Sequence, residues 1–201
     1  MKPTAIKRHH DTNSLLIGNA LASFPAVVKP RLNDVDKNNP FYEYSVDVLI
    51  PKLGKGSARD DYPSLGAVMS DVETERWPGK VPDFRYQPIK DGDQKVTRDG
   101  VPYEGYEGHW YLTAKASEDN PPSVVNLNKE ILTVSDAIVG GDVVNLFVSC
   151  YAYGKMGNNG IGWGLITIQL KEKCSTPFGG GVSKKVATDA FDQFNEDDLN
   201  I

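Results

Sequence analysis

The sequence predicts a mainly β domain with one packed α-helix and long loops. Three observations carry that prediction. Apolar and polar residues alternate over residues 41–50, 109–116 and 142–153, the period-2 pattern of strands with one buried face. A single stretch shows helical spacing, with Leu65, Val68, Met69 and Val72 at i, i+3, i+4 and i+7. Short strands punctuated by Gly, Asn and Pro, with only one helix, favour a small barrel or sandwich over an alternating α/β sheet.

Residues 20–28 form an apolar segment interrupted by Pro25, which marks an edge or a bend. Over residues 41–50, Tyr42, Tyr44, Val46, Val48 and Ile50 share one side, Glu43, Ser45 and Asp47 take the other, and Pro51 stops the strand. The helix begins near Pro63 and closes at Trp77-Pro78-Gly79, with Asp71, Glu73 and Glu75 expected in solvent. Residues 81–108 read as loop, with Asp91-Gly92 and Asp99-Gly100 as turn signals. Strands follow at 109–116, 142–153 and 161–170; the last two are joined by a Gly/Asn linker, residues 154–160. Residues 135–140 suggest a short helical turn, and there is no internal repeat.

The chain has 201 residues, enough for one domain plus tails: a flexible arm over 1–14, a domain over 15–176, and a Gly-rich hinge and tail over 177–201. No apolar run approaches the roughly 20 residues of a membrane span, so a cytoplasmic location is expected. Cys150 and Cys174 have neither metal-ligand spacing nor the density of a disulfide scaffold, and both read as reduced thiols. The net charge of −5 is concentrated at the end. From Asp189 the tail carries five of the 27 acids and none of the 22 bases, which leaves residues 1–188 neutral. Four apolar residues punctuate those acids: Phe191, Phe194, Leu199 and Ile201. Such a segment is expected to stay extended and to seek a basic groove on its own protein or on a partner.

Motifs for catalysis are absent. Gly54-Lys55-Gly56-Ser57 lacks phosphate-loop spacing, and Gly160-Ile161-Gly162-Trp163-Gly164 leads into a strand rather than a helix. Asp91-Gly92-Asp93 lacks the later ligands of a calcium loop, and His9-His10 lacks a third metal ligand. No cofactor is expected and nothing nominates an enzyme.

What is present is a row of rings. On strand 142–153, Val144, Leu146, Val148, Cys150 and Ala152 form the core face, and Asn145, Phe147, Ser149, Tyr151 and Tyr153 point outward. On strand 109–116, Tyr111 and Lys115 share the outward side with His109 and Thr113; Trp163 lies on the next strand with Leu165 and Thr167. Outward aromatics gain nothing from water, whereas unpaired bases stack on such rings with about 1–3 kcal/mol each and little regard for sequence. Lys52, Lys55, Arg59, Lys155, Lys171 and Lys173 flank the set and could track phosphates.

Several stretches, in order, resemble the phage-encoded single-stranded-DNA-binding proteins of the OB-fold type that end in an acidic tail. They are residues 44–52 (YSVDVLIPK), 88–93 (PIKDGD), 106–116 (YEGHWYLTAKA), Tyr151-Ala152-Tyr153 with the Gly-rich 154–164, and Phe178-Gly179-Gly180-Gly181. The resemblance spans roughly residues 20–201. It implies an OB-fold-like five-stranded barrel, with Lys52, Lys115, Tyr151 and Tyr153 on matched stretches. It also implies coating of single strands during phage replication, recombination and repair in the host cytoplasm, and homodimerisation. A disordered acidic tail (Asp189, Phe191, Asp192, Phe194, Glu196, Asp197, Asp198, Leu199, Ile201) would meet a polymerase, helicase/primase or recombinase and compete with DNA. Such tails usually finish in an aromatic residue; this one finishes Leu199-Asn200-Ile201.

Two readings follow. The first is a non-catalytic, sequence-tolerant single-stranded-DNA-binding protein, with Tyr111, Phe147, Tyr151, Tyr153 and Trp163 stacking on bases. Lys52, Lys55, Arg59, Lys115 and Lys155 would neutralise phosphates. The second is a phage structural or assembly protein whose outward rings form a subunit interface.

Overall fold

The structure, a computed structural model, describes residues 3–33, 37–155 and 158–178. Five strands close into a barrel: β2 (Ser14–Asn33), β3 (Phe41–Pro51), β5 (His109–Ser117), β7 (Val143–Lys155) and β8 (Asn158–Glu172). β2 pairs antiparallel with β3 and β7, β3 with β5, and β7 with β8. A short parallel pairing, Ala114↔Trp163 and Lys115↔Gly164, joins β5 to β8 and completes the circuit. The OB-fold-like barrel expected from the sequence is therefore the architecture observed.

Three minor strands lie outside that circuit. β1 (Ala5–Arg8) pairs with β2, so these four residues, expected within a flexible arm, are a sheet edge. β4 (Lys90–Asp91) pairs with β5, and β6 (Ser123–Val125) runs parallel to β8. Residues 135–140 make a turn and no helix.

β2 is far longer than its apolar segment suggested because bulges let one strand bend along two neighbours. Pro25, which cannot donate to a ladder, sits where the β2–β3 register shifts between Ser23 and Ala26, next to Phe24 at φ 45°. Among the described residues the 154–160 linker is likewise strand: pairing continues to Lys155↔Asn158.

The barrel interior is filled by Leu15, Ile17, Val46, Val48, Ile50, Leu112, Ala114, Val144, Leu146, Val148, Leu165 and Ile168. The helix α2 (Pro63–Arg76), preceded by the single turn α1 (Ala58–Asp61), adds Leu65, Val68, Met69 and Val72 to the same core. Glu73, expected in solvent, is instead buried against the Arg59 guanidinium. Both cysteines are free thiols, and burial, with Glu73 adding to it, pushes Cys150 up to about 12.

The outward face of β3 is also covered. Glu43, Ser45 and Asp47 are buried, contrary to the alternation expected of a strand with one wet face. A second small core of Leu49, Tyr106 and Tyr111 lies there, flanked by Leu21, Tyr103 and Phe178. Asp47 anchors it, accepting from Tyr106 Oη (2.7 Å) and Thr113 Oγ1 (2.6 Å) and pairing with Lys95 Nζ at 3.4 Å. Among the described residues no helix is long and apolar enough to cross a membrane.

Candidate nucleic-acid interface

Tyr151 and Tyr153 stand two residues apart on the outward face of β7, and each faces a glycine of β8: Tyr151↔Gly162 and Tyr153↔Gly160. A Cβ on Gly162 would lie 2.5 Å from the Tyr151 ring, and one on Gly160 would overlap the Tyr153 ring. Gly164 stands in the same relation to the Ser149 hydroxyl. The glycines at 160, 162 and 164 thus leave a smooth strip of backbone on which the two rings lie down. Tyr151 remains 46% exposed. Burial raises its pKa, with Tyr153 and Glu43 adding to the effect, so the phenol stays protonated at neutral pH.

Beside the rings opens a cleft of about 310 Å³. β8 contributes Ile161, Gly162 and Trp163, and β5 contributes Tyr111, Thr113 and Lys115. β4 adds Lys90, and the segment leading into it adds Tyr86, Gln87 and Pro88. Flat rings and cations therefore line one hollow.

The electrostatics separate the cations into two groups. At the cleft, buried Glu43 holds Lys115 through both oxygens (2.9 and 3.0 Å) and Arg31 at 3.8 Å, so two cations share one carboxylate. Lys90 sits with its ammonium 5.5 Å from the Tyr111 ring centre. Burial lowers its pKa, opposed by Asp47 and reinforced by Lys95 and Lys115. Lys52 is the reverse case, one cation between two carboxylates, Asp91 and Asp93, each at 2.5 Å. Burial pulls its pKa down, but hydrogen bonds to those carboxylates outweigh this and raise it. An ammonium already matched twice has little to offer a phosphate.

The structure thus brings Tyr111, Lys115, Tyr151, Tyr153 and Trp163 together, but two of the five are not free platforms. Trp163 is 2% exposed, packs in the barrel core and donates its Nε1–H to the Pro88 carbonyl at 2.9 Å. Tyr111, 6% exposed, lies beneath the loop that carries Tyr106, and burial, aided by Asp47, pushes its pKa up to about 12. Both form the cleft's lining rather than its stacking faces.

Phe147 lies elsewhere, in a hollow of about 350 Å³ with Leu16, Val125 and Thr167, its ring 5.2 Å from that of His9. Arg59 is committed to Glu73, through a 3.1 Å bond and a second, shorter one. Lys55 is exposed at the other end of β3, in a loop whose amides donate to Asp61. Lys171 donates to Asn19, and Lys173 pairs with Asp142 at 3.1 Å. The side chain of Lys155 and the whole tail, with its nine singled-out residues, lie outside the described residues. Tyr86 and Lys90 were missed by the sequence reading. Their signals were an Arg-Tyr pair inside the long loop and a lysine within the matched stretch 88–93.

A family model described as the Enterobacter phage Enc34 ssDNA-binding protein matches residues 13–200. The chain belongs to this family. Among solved structures, it is similar to the single-stranded-DNA-binding protein of bacteriophage Enc34 in complex with ssDNA. That match has 20% identity and a TM-score of 0.63, and covers 89% of this chain and 100% of that one. A further structure of the Enc34 protein matches at 18% identity and TM-score 0.61, covering 94% and 99%. The gp2.5 single-stranded-DNA-binding protein of bacteriophage T7 matches at 16% identity and TM-score 0.50, covering 80% and 91%. At these identities the structural likeness is one of fold. No curated protein matches the chain in sequence. The resemblance to phage single-stranded-DNA-binding proteins drawn from the sequence is thereby established at the level of family.

Proposed function

We propose that this chain binds single-stranded DNA without catalysis and with little sequence preference. Bases would lie on Tyr151 and Tyr153, while Lys90, Lys115 and Arg31 meet the phosphates. The observation that carries this reading is the pair of tyrosines lying on the Gly160–Gly162 strip at the mouth of a cation-lined cleft. The family membership and the fold likeness to a protein solved with ssDNA support it. Lys55 serves as an outlying phosphate contact; Lys52 and Arg59 are assigned to structure. Intrinsic fluorescence tests the reading. Emission should quench on titration with oligo-dT, and log K should fall linearly with log salt. Absence of both quenching and salt dependence would exclude it.

The acidic tail completes the proposal. Its five carboxylates and four apolar residues suit the same cleft, so it would compete with DNA and, once displaced, recruit replication or recombination proteins. Self-association is assigned to the opposite end of β7. There Phe147 and exposed Leu16 border a hollow beside Val125, which is bridged to exposed Ile131. Phe147→Asp should shift sedimentation from dimer to monomer while leaving oligo-dT binding to the isolated protomer intact.

A further inference from the structure

The long segment between α2 and β5 is fastened at several points. Phe84 packs on Trp77 with ring centres 5.4 Å apart, and Ile89 reaches the barrel core. The Pro88 carbonyl accepts the buried Trp163 indole N–H, and Lys90 and Asp91 then pair with Tyr111 and Trp110. Between these anchors stands Tyr86, 52% exposed, lining the cleft with the Arg85 guanidinium 5.2 Å from its ring centre. Holding an aromatic ring in water on a pinned backbone does nothing for folding. In the barrel β8 runs between β5 and β7, so a segment tied to β5 and tyrosines carried on β7 flank it from two sides.

We infer that residues 85–88 form a second jaw of the cleft, which takes one unpaired base between Tyr86 and the Tyr151–Tyr153 pair. Arg85 backs the Tyr86 ring and presents its charge to the adjoining phosphate. This inference rests on the reading that the cleft binds single-stranded DNA. Its consequence is selectivity. A cleft of about 310 Å³ is at the low end of the roughly 300–1,000 Å³ that ligand sites occupy. A base gripped on both faces inside it has no room to keep its pairing partner. The jaw therefore discriminates single strands from duplex, which an open row of rings would do less sharply.

The test compares full-length wild type, Tyr86→Ala, Tyr86→Phe, Arg85→Ala and the Tyr151→Ala/Tyr153→Ala double variant. Each is titrated with oligo-dT and with a blunt hairpin duplex over a salt series. Tyr86→Ala should lose about five- to a hundredfold in oligo-dT affinity, one stacking contact, with an unchanged salt slope. Its weak duplex affinity should not change, so the ratio between the two narrows; Tyr86→Phe should behave as wild type. Arg85→Ala should reduce the salt slope by about one. Wild-type affinity in Tyr86→Ala alongside weakened binding in the double variant overturns the jaw and leaves the cleft reading standing. An equal loss in Tyr86→Phe and Tyr86→Ala overturns stacking by the ring. Failure of the wild type itself to bind oligo-dT removes both.

Discussion

The ring of Tyr151 rests on Gly162 of the neighbouring strand, where a Cβ would stand 2.5 Å away from it. The glycine is thus as much a part of the platform as the tyrosine. Gly162→Ala should tilt the far end of the ring off the sheet, because the atoms it meets are Cζ and Oη rather than backbone. The barrel should unfold at a near-native temperature, a surface change of about 0.5 kcal/mol. Oligo-dT affinity should nonetheless fall several-fold. Native affinity in this variant would mean that ring orientation is irrelevant to binding.

Removing both rings is the harsher version of the same experiment. Tyr151→Ala with Tyr153→Ala should weaken oligo-dT binding about thirtyfold or more, at about 1–3 kcal/mol for each of two stacked bases. Neither ring belongs to the barrel core, so circular dichroism and the melting transition should be retained.

Glu43 governs how much positive charge the cleft shows. It is buried, yet both of its partners, Lys115 and Arg31, are themselves substantially exposed. Glu43→Gln should leave two cations for one neutral amide. We expect tighter oligo-dT binding at low salt and a steeper dependence of log K on log salt. A flatter slope would show that Glu43 is needed to aim Lys115.

Asp61 offers a stability test with a pH signature. It is buried and accepts from Trp110 Nε1 (2.7 Å) and from the amides of Leu53 and Lys55 (both 2.9 Å). Burial alone would raise its pKa, but those three donors outweigh it and hold the carboxyl below its usual value. A lowered folded-state pKa contributes stability that is complete above the unfolded value, about 3.9, and is lost as pH falls through the folded one. Asp61→Ala should therefore cost about 1–3 kcal/mol at neutral pH and flatten the acid limb of a stability-versus-pH curve. An unchanged acid limb would place that titration elsewhere.

Deleting residues 189–201 tests the proposed competition between the tail and DNA. Oligo-dT affinity should rise, most at low salt, where five carboxylates compete best. Unchanged or weaker binding, measured by fluorescence quenching, would contradict competition.

Much of this was legible in the sequence, because the period-2 face of β7 reports both the core and the outward Tyr151 and Tyr153. The helix followed equally from Leu65, Val68, Met69 and Val72. What the pattern could not show was the covering of outward faces by distant chain. Tyr111 has the right parity and composition for a platform, and Trp163 the right composition only, since it shares the face of Leu165 and pairs with core-facing Cys150. One is roofed by the Tyr106 loop, and the other is turned into the core and bonded to Pro88. The pairing of cations was hidden for a related reason. Lys52 and Arg59 look free in the sequence, but Asp91 and Asp93 reach Lys52 from 39 and 41 residues away and Glu73 reaches Arg59 from 14. The glycines of 160–164, in turn, acquire meaning only when register sets them beside Tyr151 and Tyr153.

The proposed stacking of bases on the β7 tyrosines is tested most directly by ultraviolet crosslinking of oligo-dT to the full-length chain, followed by mass spectrometry of the peptides. Crosslinks at Tyr151 and Tyr153, lost when excess unlabelled oligo-dT is added, are the expected result. Crosslinks confined to the Leu16–Phe147 face, with none on residues 151–153, would place the DNA on the wrong side of the barrel for this account.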